Sequence, residues 1–321
     1  MRYALLTAAR QAGFGFTLLV VLLLTSCASD GDSNWNVVVS FTSIQSTEMR
    51  ALRAELEDAA SRDARVHLEI VDHHGNFEGQ RHSLRSNENL GDLLVLVPAR
   101  HGIFDREIRR LHMDEHPVVV VGQDIGHDDF AVALIPDDLV IGRAAGRWAR
   151  RQLPEGGNIV ALKGNMSVRQ IQDRQRGFLQ GLAEELNADV ERPKLVYESE
   201  TDSTRAGAAR AMRDALIAHD KIDLVFAHSD EIAFGAYESA VNAQREAEVV
   251  MIGIGGMPEA GLRWLEEGVL NATLRSPFGG SEAINYATRI LSSEKLEHER
   301  IRLPTRLYTM ETLTVGGTPV R

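Results

Sequence analysis

From Trp35 onward the chain repeats one pattern: short apolar, β-branched runs separated by longer stretches with apolar residues at helical spacing. The runs are "NVVVSF" (36–41), "VHLEIV" (66–71), "LLVLV" (93–97), "PVVVVG" (117–122) and "FAVALI" (130–135). They continue with "GNIVAL" (157–162), "PKLVYE" (193–198), "IDLVFAH" (222–228), "VVMIGIG" (249–255) and "LNATL" (270–274). Between them, Met49–Ser61, Leu139–Gln152, Ile171–Leu186 and Arg205–His219 carry the period of amphipathic helices. This alternation predicts βαβ units and parallel sheets. Near-continuous Val, Ile and Leu within the strands predicts sheets covered by helices on both faces. So many strands exceed one comfortable sheet, so two α/β domains are expected. No long Pro/Gly-rich linker divides the halves, and the chain should cross between domains by short, strand-like hinges.

Before Trp35 the pattern differs. Arg2 and Arg10 form a positive n-region, Gly13–Leu24 is uncharged and mostly apolar, and Thr25 and Ser26 precede Cys27. The apolar core is shorter than the roughly 20 residues that cross a bilayer, so residues 1–26 read as a signal peptide. Leu24-Thr25-Ser26-Cys27 resembles the bacterial lipoprotein lipobox, in which cleavage exposes a cysteine for acylation. Ordinary cleavage nearby would instead leave Cys27 as a free thiol. Ala28 after the cysteine resembles the pattern of lipoproteins held at the periplasmic face of an outer membrane, and "ASDGDSN" (28–34) is a polar tether. Cys27 is the only cysteine, so no disulfide forms within the chain.

The formal charge is −11; removal of Arg2 and Arg10 with the leader, which holds no acid, makes it −11 − 2 = −13. An acidic chain without a basic run argues against nucleic acid and against electrostatic docking on anionic lipid. "HMDEH" (112–116) fits the H-x-x-E-H pattern of zinc proteases, yet Pro117 and a strand follow at once, where that site needs a continuing helix. His73-His74-Gly75 follows a strand and reads as a turn. "GIGGMPEAG" (253–261) sits where a phosphate loop would, but lacks both the dinucleotide spacing and the Lys-Ser/Thr ending of a P-loop. A tight strand-to-helix turn, with Pro258 near the helix start, accounts for it. There is no G-x-S-x-G elbow and, with Cys27 acylated, no thiol nucleophile. No catalytic residue, metal ligand set or cofactor is expected, and the chain does not read as an enzyme.

"GNMSVRQIQDRQRGFLQGL" (164–182), "IDLVFAHSDEIAFGAYESA" (222–240), "VVMIGIGGMPEAGLRWLEEGVLNATL" (249–274) and "PVVVV" (117–121) resemble type I periplasmic sugar-binding proteins of the ribose and galactose kind. The similarity runs from about Val37 to Leu313; its most specific pieces are Arg174-x-x-Gly177-Phe178 and "VFAHSDEIAFGA". "IPDDLVIGRAAGRWA" (135–149) resembles the stretch that enters the second domain. The resemblance implies an α/β fold of two Rossmann-like lobes with parallel, six-stranded-type sheets, joined by three hinge crossings near Pro136, Ser276 and Leu303. Ligand would bind between the lobes at the carboxyl ends of the strands. The N-terminal lobe would be 35–136 plus 277–303, and the C-terminal lobe 137–276 plus 304–321.

On that template the ligand residues depart from the family. Its stacking aromatics fall at Glu48 and Met49, its Asp-Arg pair at Gly122 and Gln123, and another aromatic at Ser203. Its Asn before "DE" falls at Ser229, its Asp after "GI" at Gly255, and its last amide at or near Ser276. Arg174 survives, and Asp230 keeps its place. As a cleft arginine, Arg174 would support no core, so its loss should leave folding nearly unaffected. Arg50, Arg100 and Arg275 lie close to cleft-facing turns, and arginine suits carboxylate or phosphate, so an anionic or strongly polar ligand would fit. Asp124, Asp128 and Asp129 at the rim weaken a simple basic pocket. The expected ligand-binding set is Arg174, Met49, Arg50, Arg100, Gln123, Ser203, Ser229, Asp230 and Ser276.

Three functions stay open. One is a lipid-anchored solute-binding protein that captures a small sugar-like molecule for an ABC permease. Another is a ligand-sensing receptor for a membrane sensor kinase or similar partner. The third is a degenerate scaffold with no sugar ligand.

Overall fold

The computed structural model describes residues 34–320 apart from 88, 185–190, 295 and 297–298, so the leader and Cys27 lie outside the described residues. Strands β1 (Trp35–Phe41), β2 (Val66–Asp72), β3 (Leu93–Val97), β4 (Val118–Val121) and β5 (Val132–Pro136) alternate with helices α1 (Thr47–Ser61), α2 (Phe77–Ser86) and α3 (Asp105–Met113). There follow α4 (Asp138–Gln152), β6 (Asn158–Lys163), α5 (Arg169–Ala183), β7 (Lys194–Glu200), α6 (Arg205–Ala218), β8 (Leu224–Ala227) and α7 (Asp230–Asn242). The chain ends with β9 (Val250–Gly255), a π-helical turn at Pro258–Leu262, α8 (Arg263–Glu266), β10 (Ala272–Arg275), α9 (Gly280–Leu291), β11 (Glu299–Leu303), β12 (Thr305–Tyr308) and β13 (Thr318–Val320).

These strands form two sheets, ordered β11-β5-β4-β3-β1-β2 and β13-β12-β10-β9-β8-β6-β7. The first is parallel throughout its pairings. The second has seven strands rather than six, because β12 and β13 add to β10 as an antiparallel edge. Strand pleat decides which helices each residue meets. In β3, Leu93, Val95 and Val97 pack with Leu52 and Leu56 of α1 and Ile284 of α9. Leu94 and Leu96 turn to Leu84 of α2 and Ile108 and Leu111 of α3. In β6, Ile159 and Ala161 meet Ile141 of α4 and Phe178 of α5, while Val160 and Leu162 meet Met212 of α6 and Trp264 of α8. Each lobe is thus a three-layer αβα sandwich with its own core.

The chain passes between the sheets after β5, after β10 and after β11. The crossings lie side by side: Leu303 pairs with Pro136, and the Thr305 hydroxyl donates to the Arg275 carbonyl. Among the described residues no helix is long and apolar enough to cross a membrane. Helix α3 ends at Met113, between His112 and His116, so the H-x-x-E-H pair does not share a helical face.

Candidate functional site

Arg174 is placed by glycines. Gly142 and Gly146 of α4 face Gly177 and Gly181 of α5, each lying where an added Cβ would run into backbone of the other helix: Gly142 against the Arg174 carbonyl, Gly177 against that of Leu139. The two helices therefore meet at backbone contact, which sets the base of Arg174 beside the start of α4. Its Nε donates to Asp138 Oδ1 at 2.6 Å, Nη1 to the His228 carbonyl at 2.8 Å, and Nη2 to Ser276 Oγ at 3.4 Å. Asp138 is 5 % exposed. Burial raises its pKa and the Arg174 charge opposes that rise, while Asp173 and Asp137 add to it. His228, 1 % exposed, is held neutral: burial first, then the charges of Arg174 and Lys163, lower its pKa to about 3. Arg174 is thus a strut between α4, the end of β8 and the second crossing. Its removal would strand a buried carboxylate, which overturns the expectation that folding is indifferent to it.

Around this strut, strand ends of both sheets open onto a cavity of about 560 Å³, within the range of small-molecule sites. From the first lobe come Thr42, Gln45, Glu48, Met49, Leu52 and Gln123; from the second, Asp138, Gln170, Arg174 and Ser229. Ser276 and Phe278, at the second crossing, close the wall. Thr42 is set by a buried amide: its hydroxyl donates to Gln80 Oε1 at 2.5 Å and accepts from the Ala99 amide at 3.1 Å, while Gln80 Nε2 donates to the Ser40 carbonyl at 3.1 Å. The lobes touch where Gln170 Nε2 donates to the Gly122 carbonyl at 2.9 Å and where Arg275 Nη2 meets Glu55 Oε1 at 2.9 Å.

Of the residues expected from sequence, Arg174, Met49, Gln123, Ser229 and Ser276 come together on this cavity; the other four lie elsewhere. Arg50 turns along its own helix start, onto the Gln45 carbonyl and Thr47 Oγ1. Arg100 lies over the Phe77 ring, 5.4 Å from its centre. Ser203 is in a left-handed turn (φ 61°) after β7, its amide on Thr201 Oγ1 at 3.2 Å. Arg275, the third arginine expected near the cleft, is held by Glu55 and the Gly256 carbonyl.

Asp230 is a buried keystone. It accepts from the Gly256 amide at 2.7 Å and from Thr273 Oγ1 at 2.6 Å. Burial pushes its pKa up to about 6, opposed by those two bonds and reinforced by the charges of Glu48 and Glu231. A Cβ at Gly253, Gly255 or Gly261 would collide with its carboxylate. The glycines of "GIGGMPEAG" therefore make room for an internal acid and have no phosphate to hold.

Thr42, Asp138, Gln170 and Phe278 line the site although they are outside the set expected from sequence. The paired acids of "IPDDL" where the chain enters the second lobe were a usable signal for Asp138, and Phe278 means that an aromatic face is retained.

A family model described as a periplasmic binding protein domain matches residues 37–295. The ribose import binding protein of Salmonella typhimurium is 23% identical over 248 residues, 75% of this chain and 81% of that protein. Its counterpart in Bacillus subtilis is 22% identical over 307 residues, 91% and 97% of the two chains. Among solved structures, the fructose binding periplasmic domain of a hybrid two component system superposes with a TM-score of 0.75 at 25% identity, covering 88% of this chain and 92% of that one.

Proposed function

The chain belongs to the periplasmic binding protein domain family, as a type I member, and from that premise we propose that it is an extracytoplasmic solute-binding protein that closes on a small, sugar-like ligand for import by an ABC permease. The observation that carries this reading is the cavity of about 560 Å³ between the lobes. Its polar groups (Arg174, Gln123, Gln170, Ser229 and Ser276) converge from both sides onto a space bounded by Met49, Leu52 and Phe278. Hydroxyls can pair with the amides and serines, and the apolar side chains can cover a ring face. The named ribose-import relatives support the ligand class and the route.

A thermal-shift panel of ribose, fructose, arabinose, galactose and myo-inositol tests it. A ligand at a hundred times its Kd adds about 2.7 kcal/mol to the folded state, so at least one sugar should raise Tm clearly. If none does at millimolar concentration, the cleft is a scaffold and the proposal fails. A second reading, delivery of the ligand signal to a membrane sensor kinase, is favoured by the likeness to a periplasmic domain of a hybrid two component system. Direct binding of a purified permease or of a kinase ectodomain separates the two. We further propose that acylated Cys27 anchors the protein to the envelope; Cys27→Ala should then move it out of the membrane fraction.

A further inference from the structure

We infer that Glu48 is the charge-selecting residue of the cleft, admitting a ligand that presents hydroxyl or ammonium donors and rejecting one that carries a carboxylate or phosphate. This rests on the solute-binding reading above and narrows it. Glu48 lies on the cavity wall in the first turn of α1, where no described residue offers it a hydrogen bond or an ion pair. The other two ionised groups on that wall, Asp138 and Arg174, neutralise each other at 2.6 Å. The three arginines expected near the cleft are occupied: Arg50 on its own helix start, Arg275 on Glu55, and Arg100 over Phe77. What remains facing the ligand is one unmatched negative charge.

The helix starts at the cleft reinforce this. The amino end of a helix attracts anions through its free N–H groups and its dipole. Three of these ends already hold acids of their own: Glu48 in α1, Asp137 and Asp138 at α4, and Asp230 and Glu231 in α7, whereas α5, whose Gln170 also lines the cavity, has none in its first turn. The Glu48 charge reaches far enough into the second lobe to be felt by Asp230. An arriving carboxylate would meet repulsion from Glu48 with no free cation among the described residues of that wall to offset it, whereas a pair of hydroxyls or an ammonium can donate to both of its oxygens. Thr42 adds to the same bias, because its one hydroxyl proton is spent on Gln80 and it has none to offer an anion.

Calorimetry at pH 7 with matched probes tests the assignment: D-glucose, D-glucosamine and D-glucuronate, with D-ribose against D-ribose 5-phosphate. Each anionic probe should bind at least about tenfold more weakly than its neutral parent, and Glu48→Gln should narrow that gap to within about threefold. Glucosamine binding more tightly than glucose would identify an ammonium as the group facing Glu48, and equal binding would identify hydroxyls; both support the assignment. An anionic probe that binds as well as its parent, or a gap unchanged in Glu48→Gln, overturns it and leaves solute binding intact. Failure of every probe, together with failure of the sugar panel, removes both.

Discussion

Replacing Arg174 with alanine separates a ligand-contacting arginine from one that also holds its lobe together. The substitution deletes the partner of Asp138, whose side chain is 4 % exposed, and the donor to the His228 carbonyl. Breaking a buried ion pair costs about 3–5 kcal/mol, because the surviving charge stays buried without compensation. The lower end applies here: Asp138 sits in the first turn of α4, where the helix start favours a negative charge, and it can take up a proton. About 3 kcal/mol corresponds to roughly 6–12 °C in Tm for a chain of this size. The pH dependence carries a sign. Burial already raises the folded-state pKa of Asp138, and Arg174 opposes that rise, so the variant raises it further. An acid with a raised folded pKa contributes stability below its unfolded pKa and loses it as pH rises through the folded one. The deficit of Arg174→Ala should therefore be small near pH 4 and grow towards pH 7.5. Differential scanning calorimetry across that range measures it, and Arg174→Ala with Asp138→Asn should recover much of the loss. A variant that melts with the native chain at pH 7.5, with no pH trend, would refute the strut. Ligand affinity should fall independently, by about 1.5–3 kcal/mol for a charged hydrogen bond.

Gly177→Ala places a Cβ against the Leu139 carbonyl, so α5 must lift from α4 at a cost of about 1–3 kcal/mol, with sugar affinity falling as Arg174 moves; Gly126→Ala, with open space around it, should melt within about 0.5 kcal/mol of the native chain. Burial raises the pKa of Asp230 from the ordinary aspartate value of 3.8 to about 6 in the folded chain, a difference worth about 3 kcal/mol. That stability is present below pH 4 and lost as pH rises towards 6. Urea melts of Asp230→Asn should lack the decline, and an identical slope in both proteins would discount Asp230 as its source.

The fold was legible where strands are buried on both faces. Runs such as "LLVLV" and "PVVVVG" stand out because each residue meets a helix whichever way it points, and all ten strands read from sequence are present as β1 to β10. The strands β11, β12 and β13 were not read. "ERIRL" and "TRLY" alternate charged and apolar residues, as strands do at or near a sheet edge with one side towards solvent. Two of the three are the outermost strands of their sheets. Their signal is a weak two-residue alternation, easily lost in an arginine-rich chain.

The site was legible only as far as backbone position reaches. A residue just past a strand end can be placed near the cleft from sequence, but the direction of its side chain depends on a few tens of degrees of helix rotation and on nearer partners. Ser229 and Asp230 are adjacent, yet Ser229 caps α7 at the cavity while Asp230, one step into the helix, turns back to Thr273 and Gly256. The arginines show the same effect at longer reach. Arg275 ends β10 at the cleft, but its long side chain finds Glu55 of the other lobe first. Arg174 could be placed because its helix is fixed by glycines about one and two turns further along it, and Gly177 is part of the very motif that points to it. The acids of "IPDDL" mark the entry to the second lobe, but the pairing of Asp138 with Arg174 is not legible in them, since Asp138 comes from another helix and only the α4–α5 contact brings the two together. The cation most visible in the sequence is therefore the one already neutralised, and the charge left to act on a ligand is that of Glu48, at a position where the resemblance leads one to look for an aromatic ring.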